Sequence, residues 1–135
     1  MKIKKDILKK MIDHAIAETP LESCGYLAGN SDTITHFYPM TNIDKSKEHF
    51  SFDPKEQFQV VKDARKNNLT LLSVYHSHPE TPARLSEEDI RLLNDPNMIY
   101  IIVSLANNTH DVKAYQIKKP NNKTIEIDRI ELTTT

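Results

Sequence analysis

The sequence lacks several features that would place the protein outside a reducing compartment. It has a single cysteine, Cys24, so no disulfide can form within the chain. No stretch approaches the roughly eighteen consecutive apolar residues that a membrane-spanning helix needs. The first residues form no continuous apolar segment and contain acids but no arginine, which argues against a signal or transit peptide. We therefore expect a cytoplasmic protein with no membrane partner.

An excess of positive charge is also absent. Lysine and arginine number 18 against 19 aspartates and glutamates, which gives a net charge of −1 and no overall electrostatic case for nucleic-acid binding. The lysines near the N-terminus alternate with apolar residues at helical spacing, which predicts the solvated face of an amphipathic helix. A basic patch for an acidic protein partner is the alternative.

Periodicity and turn signals predict three helices and about seven strands, an α/β sandwich built around one mixed sheet. The helices are expected at residues 4–18, 53–67 and 86–94. The strands are expected at residues 24–29, 33–38, 49–52, 71–78, 98–103, 111–117 and 124–132. In the second helix, Phe58, Val61 and Ala64 are expected to face inward.

The end of the predicted strand 71–78 has the spacing of a metal site. His76 and His78 are two residues apart, so their side chains leave the same face of the strand and can reach one ion. Asp89 lies near the start of the next predicted helix, which can fold back to the same point. Two histidines and one aspartate leave a fourth tetrahedral position free for water, as a catalytic zinc site requires.

Each half of this pattern also has a structural interpretation. A His-x-His pair often occurs without a metal, and Ser86 with Asp89 would make an ordinary helix N-terminal cap. Among the other polar residues, His14 is expected to be solvated and Asn42 to be a turn residue. His49 is expected near the cleft because of its place in the chain alone.

The joint pattern resembles the signature of the JAMM (MPN-plus) zinc metalloproteases, His-x-His-Pro-x(5)-Pro-Ser-x-x-Asp. The chain departs from it at Leu85, where many members have proline, and at Ser73, where glycine is frequent. A second, distant segment reads Pro-Leu-Glu-Ser-Cys-Gly-Tyr-Leu-Ala-Gly from Pro20 to Gly29. It resembles the family segment Pro-x-Glu-x-Cys-Gly-x-Leu-x-Gly, which contains a catalytic glutamate. The resemblance runs from the first helix through the strand after Asp89.

This resemblance implies a role for five residues. His76, His78 and Asp89 would be the ligands of one zinc ion per chain. Glu22 would be the general acid/base, and Ser86 would orient the substrate or stabilise an oxyanion.

The resemblance also implies a fold and an activity. Residues 1–135 would form a single JAMM/MPN-plus domain, a three-layer, cytidine-deaminase-like sandwich with a mixed sheet flanked by helices. The protein would be a zinc-dependent metallopeptidase or isopeptidase of the small, stand-alone prokaryotic type. Its substrate partner would be a ubiquitin-like or sulfur-carrier protein with a glycine-rich tail, cleaved after the C-terminal glycine.

Four alternatives stand beside this hypothesis. One is a catalytically silent MPN-type protein-interaction domain, whose relatives have usually lost the metal ligands that this chain retains. The others are a catalytic thiol at Cys24, a purely structural zinc site and a zinc deaminase. The last is disfavoured because the sequence has no Pro-Cys-x-x-Cys motif.

Overall fold

Eight strands form one mixed sheet in the computed structural model, which describes residues 1–135. The strands are β1 (Lys2–Ile3), β2 (Cys24–Asn30), β3 (Thr33–Met40), β4 (Thr70–His78), β5 (Ile99–Ser104), β6 (Asp111–Asn121), β7 (Thr124–Ile130) and β8 (Thr133–Thr134). The helices are α1 (Lys5–Ala17), α2 (Pro54–Lys66) and α3 (Glu87–Leu92), with a short 3-10 turn at Ala106–Asn108.

The strand order across the sheet is β7-β6-β5-β4-β2-β3-β1-β8. β4 and β5 are parallel neighbours joined through α3, whereas β2 is antiparallel to both β3 and β4. The mixed sheet predicted from the sequence is therefore found. Because ligands bind beyond the carboxyl ends of parallel strands in open α/β sheets, the end of β4 is a suitable place for a site.

Helices cover both faces of the sheet and give three layers. α1 buries Ile7, Met11 and Ala15, spaced four residues apart, against one face. α2 buries Val60 and Ala64 on the other face. The core on the α1 side contains Ile3, Ile7, Met11, Ala15, Leu27, Ile34, Tyr75, Ile101, Val103 and Ala114. The core on the opposite side contains Cys24, Tyr26, Met40, Val60, Val74, Leu93, Tyr100 and Ile117. None of the helices is both long and apolar enough to span a membrane.

Alternation along β4 decides which layer receives the histidines. Tyr75 belongs to the core under α1, and Val74 belongs to the opposite core. Because side chains at i and i+2 share a face, His76 and His78 lie on the same side as Val74, facing the layer of α2 and α3.

The inward stripe predicted for α2 is wrong in part. Ala64 is buried as expected, but Phe58 and Val61 are 62% and 37% exposed. The helix instead buries Val60, and half-buried Gln57 donates a hydrogen bond to the Tyr26 hydroxyl at 2.8 Å. A polar residue can occupy an inward position when its side chain finds such a partner.

The predicted strand 49–52 is not a strand: two of its backbone groups bond to the Asn42 side chain, and the Ser51 carbonyl accepts from the Ile43 N–H in the same loop. Only one β-bridge forms there, between Asn42 and Phe52. The His49 carbonyl accepts a hydrogen bond from the Asn42 side-chain nitrogen, and the Ser51 N–H donates one to the Asn42 side-chain oxygen. The segment therefore stays in the loop between β3 and α2.

His14 is also not solvated. Its ring packs edge-on against Phe37 and Tyr75, and Nδ1 hydrogen-bonds with the Tyr75 hydroxyl. Burial lowers the pKa of His14, and the nearby Glu18 carboxylate opposes that shift. The residue joins α1 to the ligand-bearing strand β4.

Candidate metal centre and catalytic cavity

Two adjoining elements deliver the predicted ligands to one point. His76 and His78 come from the end of β4, and Asp89 comes from the first turn of α3. The Ser86 Oγ accepts from the Asp89 backbone N–H at 3.0 Å, and Asp89 Oδ2 accepts from the Ser86 N–H at 3.0 Å. This reciprocal cap starts the helix and fixes the orientation of the Asp89 carboxylate.

The three predicted ligands form a buried cluster. His76 Nε2 lies 3.1 Å from His78 Nε2 and 3.1 Å from Asp89 Oδ1, while His78 Nε2 lies 3.0 Å from Asp89 Oδ2. One ligand atom from each residue lies within 4.8 Å of the others. His76 is 0% exposed, and the other two are 4% exposed. The structure therefore brings together all three residues that the sequence singled out.

The two imidazoles are held in different ways. His78 Nδ1 is 2.8 Å from the Pro82 carbonyl, which can only accept, so Nδ1 bears a proton and the Nε2 atom faces the cluster. His76 Nδ1 is buried and has no hydrogen-bond partner. The His76 ring instead stacks on Phe50, with centroids 5.0 Å apart and planes at 24°. On the Nδ1 side of the ring, packing rather than hydrogen bonding holds His76.

The electrostatics of the cluster follow from burial and from these contacts. Burial lowers the pKa of His76, which favours its neutral form. Burial opposes charge on His78 as well, but hydrogen bonds to Asp89 and to the Pro82 carbonyl raise its pKa overall. Although burial alone would raise the pKa of Asp89, hydrogen bonds from both histidines hold it well below its usual range. The Asp89 carboxylate favours the protonated form of His78, and a metal would have to displace that proton to bind. The affinity of the site for a metal should therefore depend on pH.

This donor set fits one zinc ion. Two imidazole nitrogens and one carboxylate oxygen, all buried and convergent, are typical ligands of catalytic zinc. A structural zinc site would have four protein ligands, whereas this cluster supplies three.

A polar cavity of about 420 Å³ borders the cluster at His78 and is also lined by Glu22. Glu22 is 3% exposed, and its Oε1 has no hydrogen-bond partner. Burial raises the pKa of Glu22 to about 8; His78 opposes this shift, and nearby acids including Asp89 add to it. The cavity is lined by Glu22, Lys47, Glu48, His78, Thr81, Ser86, Glu87 and Glu88. A buried, unpaired acid facing a cavity is a candidate for a catalytic role.

Ser86 lines the same cavity. Its Oγ accepts the hydrogen bond from Asp89 described above, and the hydroxyl proton remains available to donate. The capping role and a substrate-binding role are therefore compatible in one residue.

Cys24 is the cross-strand neighbour of His76, but it does not line the cavity. The side chain is 0% exposed in the core on the α2 side, and burial raises the pKa of its thiol to about 12. A thiol in that state is not a nucleophile, so the structure removes the catalytic-thiol alternative.

Two residues near the site were not predicted from the sequence. Phe50 covers the His76 ring, and Asn42, expected to be an ordinary turn residue, is 8% exposed with a hydrogen bond to the Glu22 carbonyl. An asparagine in a polar loop carries no sequence signal for such a contact. His49 does border the site as expected, since it lines a small cavity of about 130 Å³ together with Asp89.

Sequence comparison links the chain to known peptidases. Residues 4–118 match the family described as prokaryotic homologs of the JAB domain. The chain is 33% identical over 118 residues to a CysO-cysteine peptidase of Mycobacterium tuberculosis, which covers 85% of this chain and 81% of that protein. It is 31% identical over 101 residues to a desampylase of Haloferax volcanii, which covers 73% of each.

Solved structures have the same architecture. The chain superposes on the solution structure of a Desulfitobacterium hafniense protein with a TM-score of 0.87 and 40% identity, over 99% of this chain and 92% of that one. It also superposes on a JAB1/MPN domain protein from Archaeoglobus fulgidus with a TM-score of 0.66 and 22% identity, over 100% and 97% of the chains. The predicted fold class is therefore confirmed.

Proposed function

The chain belongs to the family of prokaryotic homologs of the JAB domain, and from that membership we propose that it is a zinc-dependent metallopeptidase or isopeptidase. It hydrolyses an amide bond after the C-terminal glycine of a ubiquitin-like or sulfur-carrier protein. The observation that carries this proposal is the convergence of His76, His78 and Asp89, with His78 lining the same cavity as the unpaired Glu22 carboxylate. The relationship to the JAMM family, predicted from two sequence motifs, is confirmed.

We assign His76, His78 and Asp89 to the zinc ion. A zinc ion held there supplies Lewis acidity, which lowers the pKa of a water molecule from ~16 to about 7 and polarises a carbonyl oxygen. The Pro82 carbonyl orients His78 and the helix cap orients Asp89. The protein therefore holds the ligands in position before the metal binds.

Glu22 serves first as base and then as acid. It accepts a proton from the attacking water, whose oxygen bonds to the acyl carbon, and later gives that proton to the departing amine. The carbon–nitrogen bond breaks at that point, and the second water proton passes from the new carboxyl group to the amine, so the products are a carboxylate and an ammonium group. A pKa of about 8 would leave the acid largely protonated at neutral pH, but a divalent cation nearby lowers that pKa. The shift moves Glu22 toward the range in which a general acid/base is most effective.

Ser86 supports the same step by donating a hydrogen bond from its hydroxyl group to the oxygen of the tetrahedral intermediate. Its Oγ is fixed by the Asp89 N–H, so the donor needs no reorganisation during the reaction.

The shape of the site supports a glycine-rich substrate tail. The segment between β4 and α3 borders the cavity through Thr81, and all eight lining residues are polar. Glycine residues have no side chains to clash, so an extended tail can enter where a folded loop cannot. The globular body of the carrier then docks outside. The relative named for CysO-cysteine, at 33% identity, is consistent with cleavage at such a tail.

We also propose that residues 1–135 act as one domain, because all eight strands belong to a single sheet and β8 pairs with β1. The alternative of a silent interaction domain is disfavoured, since such relatives have usually lost ligands that this chain retains. A structural zinc site is disfavoured by the three-ligand set.

The decisive experiment offers two substrates to protein whose zinc content has been measured. Zinc-loaded protein is incubated with a ubiquitin-like sulfur carrier extended beyond its Gly-Gly tail, and separately with casein, and both digests are analysed by mass spectrometry. We expect cleavage of the carrier just after Gly-Gly and an intact casein. Broad cleavage of casein with an intact carrier would contradict the substrate assignment only. If zinc-loaded protein cleaved neither substrate, the silent-domain alternative would be favoured.

A further inference from the structure

The loop between β3 and α2 is organised around one buried side chain, Asn42. Its Nδ2 donates to the Glu22 carbonyl at 3.0 Å and to the His49 carbonyl at 3.0 Å. Its Oδ1 accepts from the backbone N–H of Asp44 at 3.1 Å and of Ser51 at 3.3 Å. Two donated and two accepted bonds use the full capacity of a side-chain amide.

The contact to Glu22 is one half of a clamp on that residue. Glu22 lies between α1 and β2, outside any helix or strand. Its N–H donates to the Ser46 carbonyl at 2.8 Å, and its carbonyl accepts from Asn42. The loop therefore holds both backbone groups of Glu22, which no regular element holds.

The Glu22 side chain has no comparable support. Its buried Oε1 has no hydrogen-bond partner. The position of the carboxylate in the cavity consequently depends on where the backbone of Glu22 is held. The same loop also packs Phe50 on the ring of His76, so it connects the acid to a metal ligand.

We propose that Asn42 is a positioning residue for Glu22. The inference rests on the proposed role of Glu22 as general acid/base. Asn42 does not touch the reacting atoms; it fixes the main chain from which the catalytic carboxylate extends. Aspartate, although similar in size, has no protons to donate to the two carbonyls, so an amide is required.

A double-mutant cycle tests this inference in the full-length, zinc-loaded protein. Because misplacement by about 1 Å can cost ~100-fold in rate, we expect Asn42→Ala to lower kcat by roughly 10- to 100-fold. KM should stay within about twofold and zinc content should be unchanged, because neither substrate contacts nor ligands are removed. In a Glu22→Gln background, the same substitution should lower kcat by less than about twofold, since the two residues act as a unit.

Thr41→Val is the matched control. It removes the 2.8 Å hydrogen bond from Thr41 Oγ1 to Glu56 in the same loop and leaves both backbone hydrogen bonds of Glu22 in place, so kcat should not change. If Asn42→Ala fails to fold, Asn42→Asp keeps the oxygen that accepts two hydrogen bonds and loses the nitrogen that donates two, and the same pattern is expected.

Equal losses in the parent and Glu22→Gln backgrounds would overturn the inference, as would an unchanged kcat in Asn42→Ala. A parental rate for Glu22→Gln alone would overturn the assignment of the base and this inference with it. The Glu22→Gln result needs no Asn42 variant, so failure of the Glu22 assignment can be told apart from failure of the Asn42 inference.

Discussion

Two buried carboxylates in the site have opposite tendencies to ionise, and their contacts explain the difference. Burial favours the protonated form of both. Asp89 accepts hydrogen bonds from the His76 and His78 rings and from the Ser86 N–H, which hold its pKa below its usual range. Glu22 Oε1 has no such partner, and burial raises the pKa of Glu22 to about 8. The two environments thus shift the pKa values of the two acids in opposite directions, which suits Asp89 to bind a metal and Glu22 to carry a proton.

This separation predicts different consequences for substitutions at the two kinds of residue. Glu22→Gln should keep one zinc per chain and slow turnover by roughly 10²–10⁴, the usual range for a general acid/base. His76→Ala should lose both zinc and activity, whereas the exposed His36→Ala should lose neither. Elemental analysis and steady-state kinetics measure the two effects. Undiminished zinc in His76→Ala would remove that ligand assignment.

Ser86 has two proposed roles, as the cap of α3 and as a hydrogen-bond donor to the substrate. A second capped helix in the chain, α2, provides a control for the effect of losing a cap. Ser86→Ala should cost ~1 kcal/mol of stability and also reduce turnover. Asp53 caps α2 by accepting from the Lys55 N–H at 2.9 Å, far along the chain from the ligands. Asp53→Ala should therefore cost ~1 kcal/mol without slowing turnover. Equal turnover in the two variants, measured beside urea unfolding, would assign Ser86 to the cap alone.

At the scale of elements, the sequence predicts the helices and strands that are marked by residues within or next to them. The cap and proline at Asp53 and Pro54 mark the start of α2, and the apolar run before His76 marks β4. The segment 49–52 has the alternating aromatic pattern of a strand, but the Asn42 side chain takes up its backbone groups. β1 and β8 have two residues each, and they form by pairing with each other although they lie at opposite ends of the sequence. Neither the hydrogen bonds of Asn42 nor the pairing of β1 with β8 leaves a periodic pattern in the sequence.

The face that α2 buries can be tested directly. Phe58 is 62% exposed, and Val60 is 8% exposed. We expect Phe58→Ala to change the free energy of unfolding by no more than about 0.5 kcal/mol, as is usual for surface sites. Val60→Ala should cost about 1–2 kcal/mol, since it removes two buried carbon groups and leaves a small cavity. Urea unfolding compares the two variants, and the reverse order would favour the stripe expected from the sequence.

At the scale of the whole molecule, the site lies at one end of the sheet rather than within either core. His76 and His78 occupy the carboxyl end of β4, beside its parallel neighbour β5. Neither hydrophobic core includes a predicted ligand. The motif residues could be found from the sequence because their order along the chain is fixed. The loop that holds Glu22 could not, because its contacts join Asn42 to a residue twenty positions earlier through a main-chain carbonyl.

The separation between cores and ligands predicts how the molecule responds to loss of its metal. Two cores on opposite faces of the sheet pack without the ligands, so we expect chelated protein to keep its secondary structure at 25 °C, measured by circular dichroism. Zinc at a thousandfold over its Kd should add ~4 kcal/mol to the free energy of unfolding and raise the Tm. His76→Ala should melt at the same temperature with and without zinc. A chelated protein that unfolds at 25 °C would show instead that zinc is needed for the fold, because only a metal that contributes most of the folding free energy leaves an unfolded chain when it is removed.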